Sequence, residues 1–170
     1  MKTKLFFGTL TLVALIATSC ATSKKAADAD TKSFRYELEA MPTGTQGTYL
    51  VKVWTYTKDP KLPMDRAKKN AVHGVIFKGF AGKPGIPGQV ALVSNSSVQQ
   101  EKASYFDKFF ETGGDYLKYA NIASNGAIAA EDIVRVGKEY KVAVVVSVNV
   151  ASLRKALEAA GIIRSLDAGF

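Results

Sequence analysis

Residues 140–148 read Tyr140-Lys141-Val142-Ala143-Val144-Val145-Val146-Ser147-Val148. From Val142 to Val148 the side chains on both faces of the pleat are apolar or small and mostly β-branched, which suits a strand covered on both sides. This run is therefore read as a central strand. Just before it, Asp132-Ile133-Val134-Arg135-Val136 supplies a second strand, and Gly137-Lys138-Glu139 the turn of a hairpin. Just after it, Asn149 is placed to cap a helix with Val150, Leu153, Leu157 and Ala160 as its inward stripe. Arg154, Lys155 and Glu158 form its outer side, and Gly161 its stop.

Further upstream, Phe34-Arg35-Tyr36-Glu37-Leu38-Glu39-Ala40 alternates apolar and charged residues at period two, and Thr48 to Tyr56 is rich in β-branched and aromatic side chains. The turn residues Met41 to Gly47 join them into a hairpin. Glu37 and Glu39 share one strand face and are read as solvated, with no chemistry assigned. Asp59-Pro60-Lys61-Leu62-Pro63 is a breaker. After it, Met64 to about Phe80 fits a helix whose stripe is Met64, Ala67, Ala71 and Val75. The one histidine, His73, falls on the opposite side near Arg66 and Lys69 and is expected to be exposed. Val90 to Val93 is a short strand or a packed extended segment. A second helix is expected from Ser97 to the pair Gly113-Gly114, with Tyr105, Phe106, Phe109 and Phe110 covering an arc of about 140°. Tyr116 to Ile122 reads as a strand. The order is two strands, helices, three strands and a helix. That is a single α+β domain with a mostly antiparallel sheet of about five strands and helices packed on it.

Glycine recurs at every third position through Gly79, Gly82, Gly85 and Gly88, too briefly for a collagen helix, and predicts a mobile loop. Gly82-Lys83 lacks the Ser or Thr that a phosphate-binding loop needs after its lysine. Four rings within six residues exceed what one flat packing contact uses. Tyr105, with Tyr116, Tyr119 and Lys118, is therefore the candidate binding surface. Asp107, Asp115, Glu131 and Asp132 are the carboxylates that acid/base chemistry would draw on, provided two of them converge. With one His and one Cys in the chain, neither a zinc site nor Ser-His or Cys-His catalysis has its parts. No metal, cofactor or catalytic residue is predicted.

At the amino terminus, Met1-Lys2-Thr3-Lys4 places two cations before an apolar run from Leu5 to Ile16, followed by Ala17-Thr18-Ser19-Cys20. This is the layout of an export signal over residues 1–19. The run of about 12 residues is short beside the roughly 20 that span a bilayer. Ala17-Thr18-Ser19-Cys20 resembles the lipobox of bacterial lipoproteins, and the resemblance implies that Cys20 is acylated and inserts its chains into the lipid bilayer. Ala21 after the cysteine implies, by resemblance to lipoprotein sorting, an outer-membrane anchor, and the lack of an early acidic cluster, with Asp28 and Asp30 coming after Lys24 and Lys25, places the domain on the periplasmic face. Residues 20–32 contain no aromatic or branched aliphatic residue and read as a flexible tether, leaving residues 33–170 as the domain. The chain carries 23 Lys and Arg against 15 Asp and Glu, a net of +8, which suits anionic lipid heads, acidic glycans or acidic proteins. Its cations are scattered and its signal exports it, so no nucleic acid partner is expected.

The strand Gly47 to Trp54, the helix segment Ala67-Lys68-Lys69-Asn70-Ala71 and the aromatic helix are together similar to uncharacterised envelope lipoproteins of Bacteroidetes-type bacteria. The layout also resembles the small α+β domains of flagellar-assembly and envelope lipoproteins. Neither likeness brings a reaction with it. The function expected is therefore non-catalytic: a binding, scaffold or accessory factor for another envelope protein. The alternatives are a glycan- or peptidoglycan-binding module using its tyrosines, and a carboxylate-dependent hydrolase.

Overall fold

The valine run is the centre of the sheet. In the computed structural model, which describes residues 34–165 apart from 43, 44, 63 and 96, the strands in chain order are β1 (Tyr36–Ala40), β2 (Thr48–Thr57), β3 (Ala120–Ile122), β4 (Ile133–Val136) and β5 (Glu139–Asn149). The helices are α1 (Met64–Phe77), α2 (Val98–Glu101), α3 (Ala103–Phe109) and α4 (Val150–Ala159), with 3-10 turns at Asp115–Tyr119 and Ala130–Asp132. All pairings are antiparallel. One edge of β5 carries β2 along its whole length, with β1 beyond it, while β3 and β4 share the other edge end to end. The α+β class and the five-strand antiparallel sheet read from sequence are those observed. The signal, Cys20 and the tether lie outside the described residues.

Alternation along the strands gives the sheet two unlike faces. Val142, Val144, Val146 and Val148 join Val51, Val53, Tyr36 and Ala40 on the buried inner face. Each buried valine contributes roughly 1.5 to 3 kcal/mol before ordering costs. The outer face is a lattice of ion pairs and rings. Glu37 pairs with Lys141 at 2.6 Å and Arg35 with Glu139 at 2.9 Å, while Lys52 pairs with Asp132. The Trp54 ring lies beneath two ammonium groups, those of Lys52 and Lys141, at 5.1 and 5.3 Å. Ala143, on this same face, is nonetheless buried.

Helix α1 crosses the inner face. Ala67, Ala71 and Val75 are buried as their spacing predicts, but so are Lys69, Asn70, Val72 and His73. The expectation of an exposed His73 is thus corrected. Neither side of α1 is wet here: the sheet covers one, and the rings of Phe106 and Phe110, from α3 and its end, cover the other. Small residues set the approach: a β-carbon on Gly74 would lie 2.3 Å from the Leu38 side chain. Across the same interface the Asn70 amide donates to the Thr55 hydroxyl at 3.0 Å. Gly79, at φ 66°, ends the helix, its N–H returning to the Gly74 carbonyl. Residues 90–93 form no strand and are packed only in part: Val90 is 88% exposed, while the Leu92 and Val93 N–H groups donate to the Val75 and Ile76 carbonyls.

Three further readings are refined. The aromatic helix is broken at Lys102 into α2 and α3. Residues 115–119 coil as a 3-10 turn in place of the predicted strand, so only Ala120–Ile122 is extended. At the carboxyl end the Asn149 side chain accepts from the Ser152 N–H at 3.0 Å, as an N-cap should. Gly161, at φ 64°, closes α4 in a Schellman arrangement: its N–H reaches the Glu158 carbonyl, and the Ile162 N–H reaches that of Leu157. Leu153 and Leu157 are buried while Ala160 is exposed, and Ile162 is buried.

Candidate binding cleft

The glycine-rich stretch predicted as a loop folds back as a two-runged finger. Phe80 and Gln89 exchange both backbone hydrogen bonds at 2.9 Å, and Lys83 and Ile86 do so at 2.9 and 2.8 Å. Pro84 and Gly85 form the tip, with Gly85 at φ 77°, the conformation a type II turn needs at its third residue. The glycine spacing has a steric cause. A β-carbon on Gly82 would sit 2.6 Å from the Gly88 nitrogen, one on Gly88 would sit 2.5 Å from the Gly82 nitrogen, and one on Gly79 would meet the Gln89 carbonyl at 2.3 Å. The two sides of the finger come this close only without side chains.

The finger is fastened to the sheet twice. Its Lys83 pairs with Glu39 on β1, and the Trp54 indole N–H donates to the same carboxylate at 2.9 Å. These bonds, the one from Lys83 foremost, hold the Glu39 carboxyl below its ordinary range. On the inner side the Tyr49 hydroxyl donates to the Gln89 side-chain carbonyl at 2.8 Å, and the Tyr49 ring meets Phe80 edge-on at 5.7 Å.

Between the finger and the β1–β2 connection lies a cleft of about 360 Å³. Its apolar walls are Met41, Pro42, Leu50, Phe80, Ile86 and Pro87, and its polar contributions come from Thr45, Gln46, Thr48, Tyr49 and Gln89. Among the described residues, no Asp, Glu, His, Lys, Arg or Cys lines it. What these side chains offer is shape, apolar contact and amide hydrogen-bonding groups.

The surface expected from sequence is assembled only in part. The Phe109 ring is stacked between Tyr105 and Tyr119, with centroids 5.8 and 5.9 Å apart. Tyr116 leaves this surface: it is buried beneath the Lys69 ammonium, 5.7 Å from its ring, and beside Phe110. Lys118 points out and pairs with Asp115 at 2.7 Å. The cause is the 3-10 turn, in which residues three apart eclipse, so 116 and 119 turn inward while 115 and 118 turn outward. Burial first, then the neighbouring Tyr119 and Asp115, pushes the Tyr105 hydroxyl up.

The four candidate carboxylates are spread over α3 and the two 3-10 turns. Asp115 is paired with Lys118 and Asp132 with Lys52, while Asp107 and Glu131 are exposed. Among the described residues no three His, Cys, Asp or Glu converge as a metal site. His73 is a packing residue. It lies 2.6 Å from the Tyr36 hydroxyl through Nδ1, accepts from the Gln99 amide at 3.2 Å through Nε2, and stacks on Phe34 at 3.5 Å.

Sequence reasoning passed over the cleft, though one signal was available. In a chain with 22% charged residues, residues 40–51 and 84–100 carry no charge, and the cavity lies between residues of the two stretches, Met41, Pro42 and Gln46 to Leu50 on one side and Ile86, Pro87 and Gln89 on the other. No family model, curated protein or solved structure matches the chain.

Proposed function

We propose that this is a lipid-anchored envelope lipoprotein, held in the outer membrane through acylated Cys20. Its α+β domain faces the periplasm and acts there as a non-catalytic binding or accessory factor for another envelope protein. The cleft between the finger and the β1–β2 connection receives an extended, uncharged segment of that partner. The observation that carries this reading is the composition of the lining among the described residues: apolar side chains with five neutral polar ones, and no charge. A site for acidic glycans would offer Lys or Arg, and a hydrolase would offer facing carboxylates. The walls supply neither.

The glycan reading draws on a different place, the part-exposed Tyr105 and Tyr119 rings on either side of Phe109. Trp54 serves that purpose poorly because two ammonium groups already occupy its ring.

The test is site-specific cross-linking of the full, lipidated chain in its own envelope, with a photoreactive residue at Leu50 or Ile86. The expected result is an adduct with one protein, lost when Leu50→Glu or Ile86→Glu places a charge in the lining. Both side chains are part-exposed, so the melting temperature should stay within a few degrees. Adducts to peptidoglycan, or retention of the same protein by both charged variants, would overturn the reading.

A further inference from the structure

The sheet has two chemically opposite ends. At one lie the uncharged β1–β2 connection and the cleft. At the other the register brings together the start of β1, the end of β2 and the β4–β5 turn: Tyr36 faces Thr55, Thr57 faces Tyr140 and Val136 faces Glu139. Arg35, Lys58, Lys61, Arg135 and Lys138 are all exposed there. The acidic groups beside them are engaged. Glu139 is bonded by both terminal nitrogens of Arg35, Glu37 by Lys141, and an Asp59 carboxylate oxygen accepts the Lys61 backbone N–H. The Arg35 hydrogen bonds, with the charges of Arg35 and Lys58, hold the Glu139 carboxyl below its ordinary range. The end therefore presents a cationic excess.

Two further observations point to the same surface. Val134 and Val136, 44% and 46% exposed, face Lys141 and Glu139 on β5, with Arg135 turned to the opposite face, so large apolar side chains stand beside the charged groups of the outer face. The chain also enters the domain here, through Phe34 and Arg35 ahead of β1. A surface that mixes cations with exposed aliphatic groups matches the boundary between anionic headgroups and acyl chains, where both kinds of group gain.

We propose that this basic end, with Val134 and Val136, docks on anionic lipid headgroups, so that the tethered domain stands on the membrane with its cleft turned away. The proposal rests on the lipid-anchor reading given above. Each cation held near an anionic surface strengthens partition by about fivefold, and the gain fades within a Debye length as salt rises. The tether alone would leave the domain free to present any face; the charged end selects one.

The experiment is lysine labelling with a water-soluble acylating reagent on the full lipidated chain, in phosphatidylcholine vesicles with and without phosphatidylglycerol. Lys58, Lys61 and Lys138 should react at least fivefold more slowly when phosphatidylglycerol is present, and high salt should restore their rates. Lys108 and Lys155, exposed on the helical layer, should react alike in both. Equal rates at the basic end, or slowing by a soluble acidic polysaccharide but not by phosphatidylglycerol, would overturn the proposal. Attachment to phosphatidylcholine vesicles reports the anchor alone. Its failure would refute the anchor, while the phosphatidylglycerol comparison would still decide the docking.

Discussion

His73 shows what one side chain does to acid stability. Burial, followed by the charge of Lys78, lowers its pKa from 6.5 to about 3, so the folded domain holds a neutral imidazole. The groups around it are the Tyr36 hydroxyl, the Gln99 amide, the Phe34, Phe77 and Phe110 rings, and the Lys78 ammonium. A depressed basic pKa means that the unfolded chain binds a proton the native one refuses. Stability is then full above about pH 6.5 and falls as pH drops toward 3, by at most about 1.4 kcal/mol per unit. Glu37, Glu39 and Glu139, whose pKa values are lowered from 4.5, lose their contribution only at more acid pH. The interval from pH 6.5 to 5.5 therefore isolates the histidine. Thermal unfolding of wild type should show a melting temperature falling through that interval, while His73→Gln, which keeps a polar group but does not titrate, should be nearly flat. Parallel slopes would show that His73 is not the group responsible. The residue was misread from sequence because a helical wheel gives the angle of a side chain and not what packs there. Phe34 and Phe110, which enclose His73, are 39 and 37 positions away along the chain.

At the scale of elements, legibility followed how local the determinants are. Helix α4 was readable end to end because its cap Asn149, its Leu153 and Leu157 stripe and its Gly161 stop lie within one short stretch and act on one another. The hairpin of β4 and β5 was readable for the same reason. Residues 115–119 misled because Tyr116, Lys118 and the neighbouring apolar residues imitate strand alternation, while burial of Tyr116 and the Asp115–Lys118 pair favour a 3-10 turn. The finger was hidden because its glycines answer to one another across the rungs and not along the chain. That mutual demand is testable. In Gly82→Ala or Gly88→Ala the new β-carbon would strike backbone, which cannot rotate aside, so the finger must open and the cleft lose one wall. Partner cross-linking through Ile86 should fall at least tenfold, with only a few degrees of change in melting temperature, since the finger contributes little to the main core. Gly85→Ala is the control. It meets open space at φ 77°, costs roughly 1 to 2 kcal/mol of local strain, and should leave the rungs and the adduct in place. Equal losses from all three variants would indicate general destabilisation and not a shaped wall.

For the molecule as a whole, sequence conveyed the class of fold because the central strand is apolar on both faces and the helical segments are periodic. It could not convey which ends of which strands coincide, and the separation of an uncharged cleft from a basic end exists only through that register. The same separation bears on the role of the anchor. If Cys20 is acylated, the tether confines the domain to a thin layer above the bilayer, and any partner in that layer meets it at an effective concentration far above the bulk value. A cleft with apolar walls and few polar contacts gives modest intrinsic affinity, so retention of the partner should depend on that confinement. Cys20→Ser removes the acyl chains and none of the described contacts. The variant should have the melting temperature of wild type, lack the mass of the lipid, leave the membrane fraction and lose most of its cross-linked partner. Artificial anchoring of the same variant, by an unrelated transmembrane segment fused ahead of the tether, should restore the adduct without restoring the lipid. Were wild-type Cys20 found unmodified in correctly processed protein, the anchor would be refuted. If instead the soluble variant kept its partner in full, the cleft would be a high-affinity site that needs no membrane, and the tether would serve address alone.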